Sequence, residues 1–366
     1  MNINNLRLYQ FRNYKNASFS FESNCIHVLY GNNAQGKTNL IESIYFLSLL
    51  RSFRTNQNQS LVQKNAESFV LAAKVENKGR IEELKIVVSD SKKHLYRFNN
   101  PINTYSSFIG IVNAILFCPD DLNLFSQSPR LRRKFIDTEL IKLSKTYTST
   151  LSHYQKLLKE RNQALKQYRI DSALIQVYTM QMIEDEKVIL KQRNQFIQEL
   201  MEKVRKIYPL FSDDHARIGA IYETFISLDK NLDLDEELKK AYENHMQRDF
   251  QYKTTSVGIH KDDIIFTLNE EPIVQIASQG QKRSVLLSMK LGLAQIIYEK
   301  SGQYPILLLD DVFSELDEER RKHLIQMLPK KMQIFITTTE TINPEWFDRP
   351  VKFYKVENGT MEEQIR

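Results

Sequence analysis

The chain has 366 residues, is 42% hydrophobic and carries a formal net charge of +6, enough apolar material for a large core and for two or three domains. The basic excess is modest, so it suits a polyanionic partner or an ordinary solvated surface equally. Cys25 and Cys118 lie far apart in apolar runs, which argues against a disulfide framework or a cysteine zinc site and for buried thiols of a reducing compartment. No apolar run approaches the ~18 residues of a membrane span, and the first residues, MNINNLRLYQFRNYK, lack a signal-peptide core. A cytoplasmic protein without membrane association is expected.

Residues 1–30 read as strands, with Leu6, Leu8 and Phe11 leading into a turn at Arg12-Asn13-Tyr14 and Phe19 and Phe21 alternating after it. From that turn Arg12 either reaches a nucleotide phosphate or is a surface arginine. Cys25 to Tyr30 is short and apolar, as a buried strand would be. It enters Gly31 to Thr38, GNNAQGKT, which meets the phosphate-loop pattern at every fixed position. Leu40, Ile41, Ile44, Leu47 and Leu50 then recur at helical spacing. In this context Gly31 and Gly36 let the backbone curl, so that N–H groups across Asn32, Asn33, Ala34 and Gln35 point at a polyphosphate. The positive end of the following helix adds to that field. Lys37 is expected on the β- and γ-phosphates of ATP and Thr38 on Mg²⁺. With only 10 glycines in the chain, a chance glycine-rich turn is the poorer explanation.

Arg51 and Arg54 end the helix as a basic pair that touches DNA or nucleotide, or simply favours the helix dipole. Residues 67–98 alternate in short runs and predict an antiparallel sheet beside the nucleotide site. Ile111 to Phe117 predicts a buried strand, ended by Cys118-Pro-Asp-Asp121. From Pro129 the texture changes. Arg130, Arg132, Arg133 and Lys134 open a helical tract to about Tyr208, with no glycine or proline between Leu131 and Tyr208. Leu143, Tyr147, Leu151, Tyr154 and Leu158 recur at amphipathic spacing, as do Phe196, Leu200 and Val204. A reversal near Arg169 to Asp171 makes an antiparallel pair, each arm ~25–35 residues or roughly 40–50 Å long. The cluster at 130–134 is either a DNA-facing patch at the arm's base or a solvated helix face. Residues 217–228 suggest a strand returning to the sheet, 234–250 a charged helix, and 257–268 a strand with a turn, in which His260 reads as structural.

Pro305 to Asp310 is a continuous apolar run ending in an acid, the Walker B form, whose carboxylate holds Mg²⁺ through its water shell. Asp311 follows, placed to orient or deprotonate the attacking water. Gln333 to Thr339 is a further strand, with Thr338 or Thr339 at the end as a γ-phosphate sensor. Upstream of Walker B, Ala277-Ser-Gln-Gly-Gln281 opens another helix.

Ser278, Gly280 and Gln281 in that position resemble the signature motif of ABC-type ATPases, and Glu315-Leu-Asp317 resembles their D-loop. Taken with FRNY at 11–14, RLRRKFID at 130–137, YQKLLKERN at 154–162 and GIHKDD at 258–263, the chain resembles the bacterial RecF family to about residue 340. The resemblance implies an α/β fold: an ABC-type P-loop ATPase head with an antiparallel β subdomain, plus an α-helical lobe carrying a short antiparallel coiled-coil arm. The corresponding division is 1–127 and 251–366 for the head and 128–250 for the arm lobe. It implies an ATP-dependent homodimer in which Ser278 to Gln281 of one chain completes the site built on Lys37, Asp310 and Asp311 of the other. It also implies binding to single-stranded or gapped duplex DNA, cooperation with RecO and RecR in loading RecA, and a place in the SOS response. Asp311 stands where transporter ATPases carry glutamate, one methylene longer, so slow hydrolysis used as a dimerisation switch is expected. The threonines near 338 replace the transporters' switch histidine, and Asp120 or Asp121 stands near the Q-loop position. The alternative is an SMC-like head of another DNA-processing complex, which calls for a far longer arm. In a transporter ATPase the signature follows the phosphate loop closely, whereas Ser278 lies 240 positions after Thr38.

Overall fold

A computed structural model describes residues 1–90, 92–229, 232–313, 316, 318–339 and 342–364. In chain order, β1 (Asn2–Phe11), β2 (Tyr14–Ser20) and β3 (Ile26–Tyr30) lead into α1 (Lys37–Leu49). Strands β4 (Ser68–Asn77), β5 (Arg80–Ser89), β6 (Lys92–Arg97) and β7 (Asn100–Ile102) follow, then α2 (Tyr105–Phe108), β8 (Ala114–Phe117) and α3 (Asn123–Ser126). Helices α4 (Pro129–Leu143), α5 (Lys145–Leu165) and α6 (Ser172–Ile207) precede β9 (Ile218–Glu223), α7 (Leu234–Tyr252), β10 (Asp263–Leu268), β11 (Glu271–Pro272) and α8 (Ile273–Ile276). The chain closes with α9 (Gln279–Ser301), β12 (Ile306–Asp310), α10 (Glu318–Met327), β13 (Ile334–Thr338), β14 (Val351–Glu357) and β15 (Thr360–Gln364).

Two compact units result. The first is Met1–Asp121, Ile207–Asp213 and Leu286–Arg366; the second is Leu122–Lys206 and Asp214–Val285. The sequence suggested breaks at 127 and 250. The stretch after 250 goes with the helical unit because β10 pairs with β9 and with β11 and packs on α4.

In the first unit a mixed sheet runs β15-β14-β3-β13-β12-β8, parallel throughout except for the edge strand β15. Its inner strands are apolar on both faces, as parallel strands covered on both sides must be: all five residues of β12 and of β13 are buried. Parallel strands also deliver their C-termini to one edge, where open α/β sheets bind ligands. A second, antiparallel sheet runs β2-β1-β4-β5-β6-β7, so the expected 67–98 sheet also recruits β1 and β2. Leu8 pairs with Leu71 and Leu71 with Ile86, which sets one apolar face of the sheet. That face joins Leu40, Ile41, Ile44 and Leu47 of α1 in one core. Cys25 and Cys118 are free and buried, and burial pushes the Cys25 thiol up to about 11.

In the second unit the expected helical tract breaks once before its reversal. Ser144 is extended, and its side chain accepts from Tyr147 N, capping α5 without any glycine or proline. Helices α5 and α6 run antiparallel, as three pairs prove: Arg161 with Thr179 (2.9 Å), His153 with Asp185 (2.8 Å) and Tyr147 with Arg193 (3.2 Å). The chain reverses between Leu165 and Ser172, where the sequence placed it. The helices have 21 and 36 residues. Between them Arg161, fully buried, donates to Asp249 at 2.7 Å and Thr255 at 2.8 Å, so its charge is paired as burial requires. His260 is held by Tyr154 OH (2.8 Å) and the Thr255 carbonyl (3.2 Å), and burial lowers its pKa to about 4. It is a neutral structural imidazole. The expectation that 217–228 returns to the main sheet is corrected, because β9 pairs with β10 in a separate three-stranded sheet.

Candidate nucleotide site

The phosphate loop follows β3 and ends at α1. Gly31 has φ +146° and Gly36 φ +122°, both in the region that favours glycine. Space forbids a side chain as well: a Cβ at Gly31 would lie 2.5 Å from the Val356 carbonyl oxygen, and one at Gly36 2.7 Å from Asn13 Nδ2. Between them Ala34 is also left-handed, at φ +64°.

Lys37 curls over its own loop and donates to the carbonyls of Gly31 (2.6 Å) and Asn32 (2.8 Å). Burial lowers its pKa, opposed by the nearby Asp311 and Asp310 carboxylates. Thr38 Oγ1 donates to Asp310 Oδ1 at 3.0 Å, and Thr337 Oγ1, from β13, donates to the same oxygen at 2.7 Å. Burial raises the Asp310 pKa against these two hydrogen bonds, so this carboxylate sits where a cation would be welcome. Asp311 leaves β12 in the left-handed region, φ +55°, and its N–H donates to Thr337 Oγ1 at 2.9 Å. Asn33, Ala34, Gly36, Lys37, Thr38, Asn39, Arg54, Asp311, Thr337 and Thr339 line one pocket. Thr338, on the other face of β13, is buried.

The loop is braced by two distant stretches. Asn13 Nδ2 donates to the Gln35 carbonyl (2.9 Å) and Tyr14 OH to the Gly36 carbonyl (3.1 Å). Next to Asn13, the β14–β15 turn gives Gly359 N to the same Gln35 carbonyl (3.1 Å) and Asn358 N to Gln35 Oε1 (2.8 Å). Asn39 Nδ2 donates to Asn13 Oδ1 at 2.8 Å, and Arg54 Nη1 to Asn39 Oδ1 at 2.9 Å. Glu42, wholly buried in α1, organises this flank: it accepts from Arg12 Nε and Nη2, both at 2.8 Å, and from Ser52 Oγ. Ser52 Oγ in turn accepts from the backbone N–H of Arg54. Arg12 is thus turned to Glu42 and the Ser60 carbonyl, while Arg54, grouped by sequence with DNA contacts, reaches the pocket.

The signature turn belongs to the second unit. Ser278 N donates to Gln281 Oε1 (2.9 Å) and Gln281 N to Ser278 Oγ (3.2 Å), a reciprocal capping box that starts α9, with Gly280 between. Gln281 Nε2 continues to Asp214 at 2.8 Å. Among the basic residues of α4, Arg130 and Lys134 are exposed. Arg132 grips Asp263 with two bonds of 2.7 and 2.8 Å, and Arg133 donates to the Asp262 carbonyl. Arg51 is half-buried and its charge helps to lower the pKa of Lys93, second to burial. Near the Q-loop position, Asp120 is exposed, and Asp121 accepts from Cys118 N and Lys290 Nζ, both at 3.0 Å. Of the D-loop, Glu315 and Asp317 lie outside the described residues.

Asn13, Asn39, Glu42, Ser52, Thr337 and Asn358 escaped the sequence reading. Only Glu42 left a signal there, an acid inside the apolar helix run LIESIYF.

A phosphate loop, a Walker B acid beside it on a parallel sheet, and an antiparallel sheet packed on the same helix define an ABC-type P-loop ATPase head. The chain matches the RecF/RecN/SMC N-terminal domain family over residues 2–362. It is 37% identical over 374 residues to the DNA replication and repair protein RecF of Halalkalibacterium halodurans, covering 100% of both chains. It is 36% identical to RecF of Clostridium novyi over 363 residues, 99% of each. A solved structure of the recombination mediator RecF with ATP superposes with a TM-score of 0.92 at 28% identity, over 99% of this chain and 97% of that one. The Smc head of Pyrococcus furiosus, at TM-score 0.57 and 17% identity, shares the fold. The chain belongs to the RecF family.

Proposed function

We propose that this chain is an ATP-dependent, DNA-binding homodimer of recombinational repair and replication restart, acting in the cytoplasm. The observation that carries the reading is the meeting of the Thr38 and Thr337 hydroxyls on Asp310 Oδ1 beside the phosphate loop. Magnesium takes few protein ligands and fills its shell with water and phosphate oxygens. Thr38 and Asp310 supply such a pair. When bound, the metal neutralises charge on the phosphates, and Lys37 and the N–H groups from Asn32 to Gly36 hold them. Asp311 orients the attacking water and, being short, does so poorly. Arg54 contributes a further positive charge to the pocket.

Ser278 to Gln281 caps α9 with the hydroxyl and N–H groups of a helix start, a form suited to a γ-phosphate presented by a second copy. ATP would then be a removable part of the dimer interface, and slow hydrolysis its timer. DNA contacts fall to Arg51, Arg130 and Lys134, with Arg132 and Arg133 fixing α4 through Asp263 and Asp262. RecO and RecR are the partners that the RecFOR pathway of the RecF solved structures suggests, and RecA is the one that the resemblance adds.

The ATP site is tested by titrating a fluorescent ATP analogue with and without Mg²⁺. Binding is expected to depend on Mg²⁺, to be abolished in Lys37→Met and to be uncoupled from Mg²⁺ in Thr38→Ala. Binding by Lys37→Met at wild-type affinity would refute it.

A further inference from the structure

The antiparallel sheet of the first unit has a second face, turned away from the core. Cross-strand register sets Arg7, Ala72, Lys85 and Tyr96 side by side in one row on this face. Tyr9, Val70 and Val87 form the next row. The alternate residues Leu8, Leu71, Ile86 and Leu95 are the buried ones. Tyr9 is 48% exposed, and Arg7 and Lys85 are exposed. Lys85 Nζ lies 5.4 Å from the centroid of the Tyr96 ring. A groove beside the Arg7 row, on the side away from Tyr9, is lined by Asn5, Arg7, Ala72, Lys74, Glu83 and Lys85. Lys74 is paired with Glu83 at 2.8 Å, so the net positive charge of the groove comes from Arg7 and Lys85.

Across the two rows Ala72, Val70 and Val87 make a floor of small and β-branched residues between Tyr9 and Tyr96, with Arg7 and Lys85 along it. Tyr9 on β1 and Tyr96 on β6 stand three strands apart, about 14 Å at ~4.8 Å per strand. A single-stranded polynucleotide needs this combination: cations for the phosphates and ring faces for unpaired bases. A duplex keeps its base faces stacked and has no use for the two tyrosines. An acidic protein surface matches the cations alone.

We propose that this sheet face is a single-strand nucleic-acid site, with Arg7 and Lys85 on phosphates and Tyr9 and Tyr96 stacking on bases. It belongs to a different unit from the α4 cluster and deepens the DNA-binding reading, on which it rests.

Fluorescence anisotropy of labelled oligo-dT and of a duplex of equal length, titrated with the full chain across a salt series, tests it. Stacking on one aromatic contributes ~1–3 kcal/mol, so loss of each ring weakens oligo-dT binding roughly 5- to 150-fold. The double variant Tyr9→Leu/Tyr96→Leu is therefore expected to lose oligo-dT and keep the duplex, while Tyr9→Phe/Tyr96→Phe binds both. Arg7→Gln/Lys85→Gln is expected to lower the salt slope for oligo-dT by about 1.4, ~0.7 for each phosphate that is no longer neutralised. If the wild type binds oligo-dT and the leucine pair binds it equally well, or the leucine pair loses duplex in proportion, this site is wrong and the wider DNA reading survives. If the wild type binds neither ligand at low salt, the DNA reading itself fails. An unchanged unfolding midpoint in the leucine pair ties any loss to binding.

Discussion

Replacing Thr337 by valine keeps the shape of a side chain that is 1% exposed and removes its hydroxyl. That hydroxyl does two things: it donates to Asp310 Oδ1 at 2.7 Å and accepts from the Asp311 N–H at 2.9 Å. Losing a hydrogen bond to a charged acceptor costs ~1.5–3 kcal/mol, and losing the part-buried bond from the Asp311 N–H a further ~0.5–1.5 kcal/mol. Asp310 keeps its bond to Thr38, so the two losses do not add fully. A destabilisation of about 2–4 kcal/mol follows, a drop in unfolding midpoint of roughly 4–16 °C for a unit of this size. Function should suffer separately. Thr337 sets the carboxylate of Asp310 and the left-handed backbone of Asp311 in one stroke, so ATP hydrolysis should fall even at temperatures where the variant is folded. Thr337→Ser restores both bonds and should recover both properties. Scanning fluorimetry gives the midpoint, and a phosphate-release assay at a temperature below both midpoints gives the rate. A valine variant with wild-type midpoint and wild-type hydrolysis would refute the claim that this hydroxyl holds the acid pair.

Gly36→Ala places a methyl 2.7 Å from Asn13 Nδ2 at φ +122°, so it should push the loop off its Asn13 brace and abolish binding of the fluorescent ATP analogue while the fold persists by circular dichroism. Asp249→Ala leaves the guanidinium of Arg161, fully buried, without its carboxylate and should destabilise by about 3–5 kcal/mol in urea titration, whereas the same change at exposed Glu236 should register less than ~0.5 kcal/mol. Burial raises the Glu186 pKa from 4.5 to about 8. The folded value lies above the unfolded one, so the stabilising contribution is full below about pH 4.5 and is lost as pH rises through about 8. Glu186→Gln keeps an acceptor for Tyr242 OH and Ile259 N, and its urea midpoint should fall less than that of the wild type between pH 5 and 8.

The parts legible in the sequence are those whose chemistry is local along the chain. Gly31 to Thr38 declares its conformation through two glycines and its ligand through Lys37, and the apolar run before Asp310 declares a buried parallel strand. The helices α5 and α6 were legible because Leu143 to Val204 repeats with helical period, and the chain reverses where charged residues interrupt that pattern. The break at Ser144 was missed because a serine cap needs no helix breaker. Residues 251–285 were misassigned because β10 has an apolar pattern that says nothing of its partner, and the partner is β9. The braces were invisible for a related reason. Asn13 and Asn358 are ordinary polar residues until the fold brings two distant stretches to one loop, and Asn39, just after it, is read only through its bond to Asn13. Thr337 was passed over for Thr338 and Thr339 because the direction of each side chain depends on the register of β13 beside β12. Arg12 and Arg54 could be told apart only by Glu42, which holds the first with two bonds of 2.8 Å and the second by a looser ion pair of 3.7 Å, so that Arg54 still lines the pocket.

The central claim is that ATP joins two copies through a site shared between Lys37 of one and Ser278 of the other. Sedimentation velocity measures it directly, on the wild type without nucleotide, with ADP and with Mg·ATP, beside Lys37→Met and Ser278→Arg. A dimer is expected only with Mg·ATP, and monomers in both variants, with ATP still bound by Ser278→Arg. A wild-type chain that binds Mg·ATP and sediments as a monomer, or a Ser278→Arg chain that dimerises as the wild type does, would contradict it.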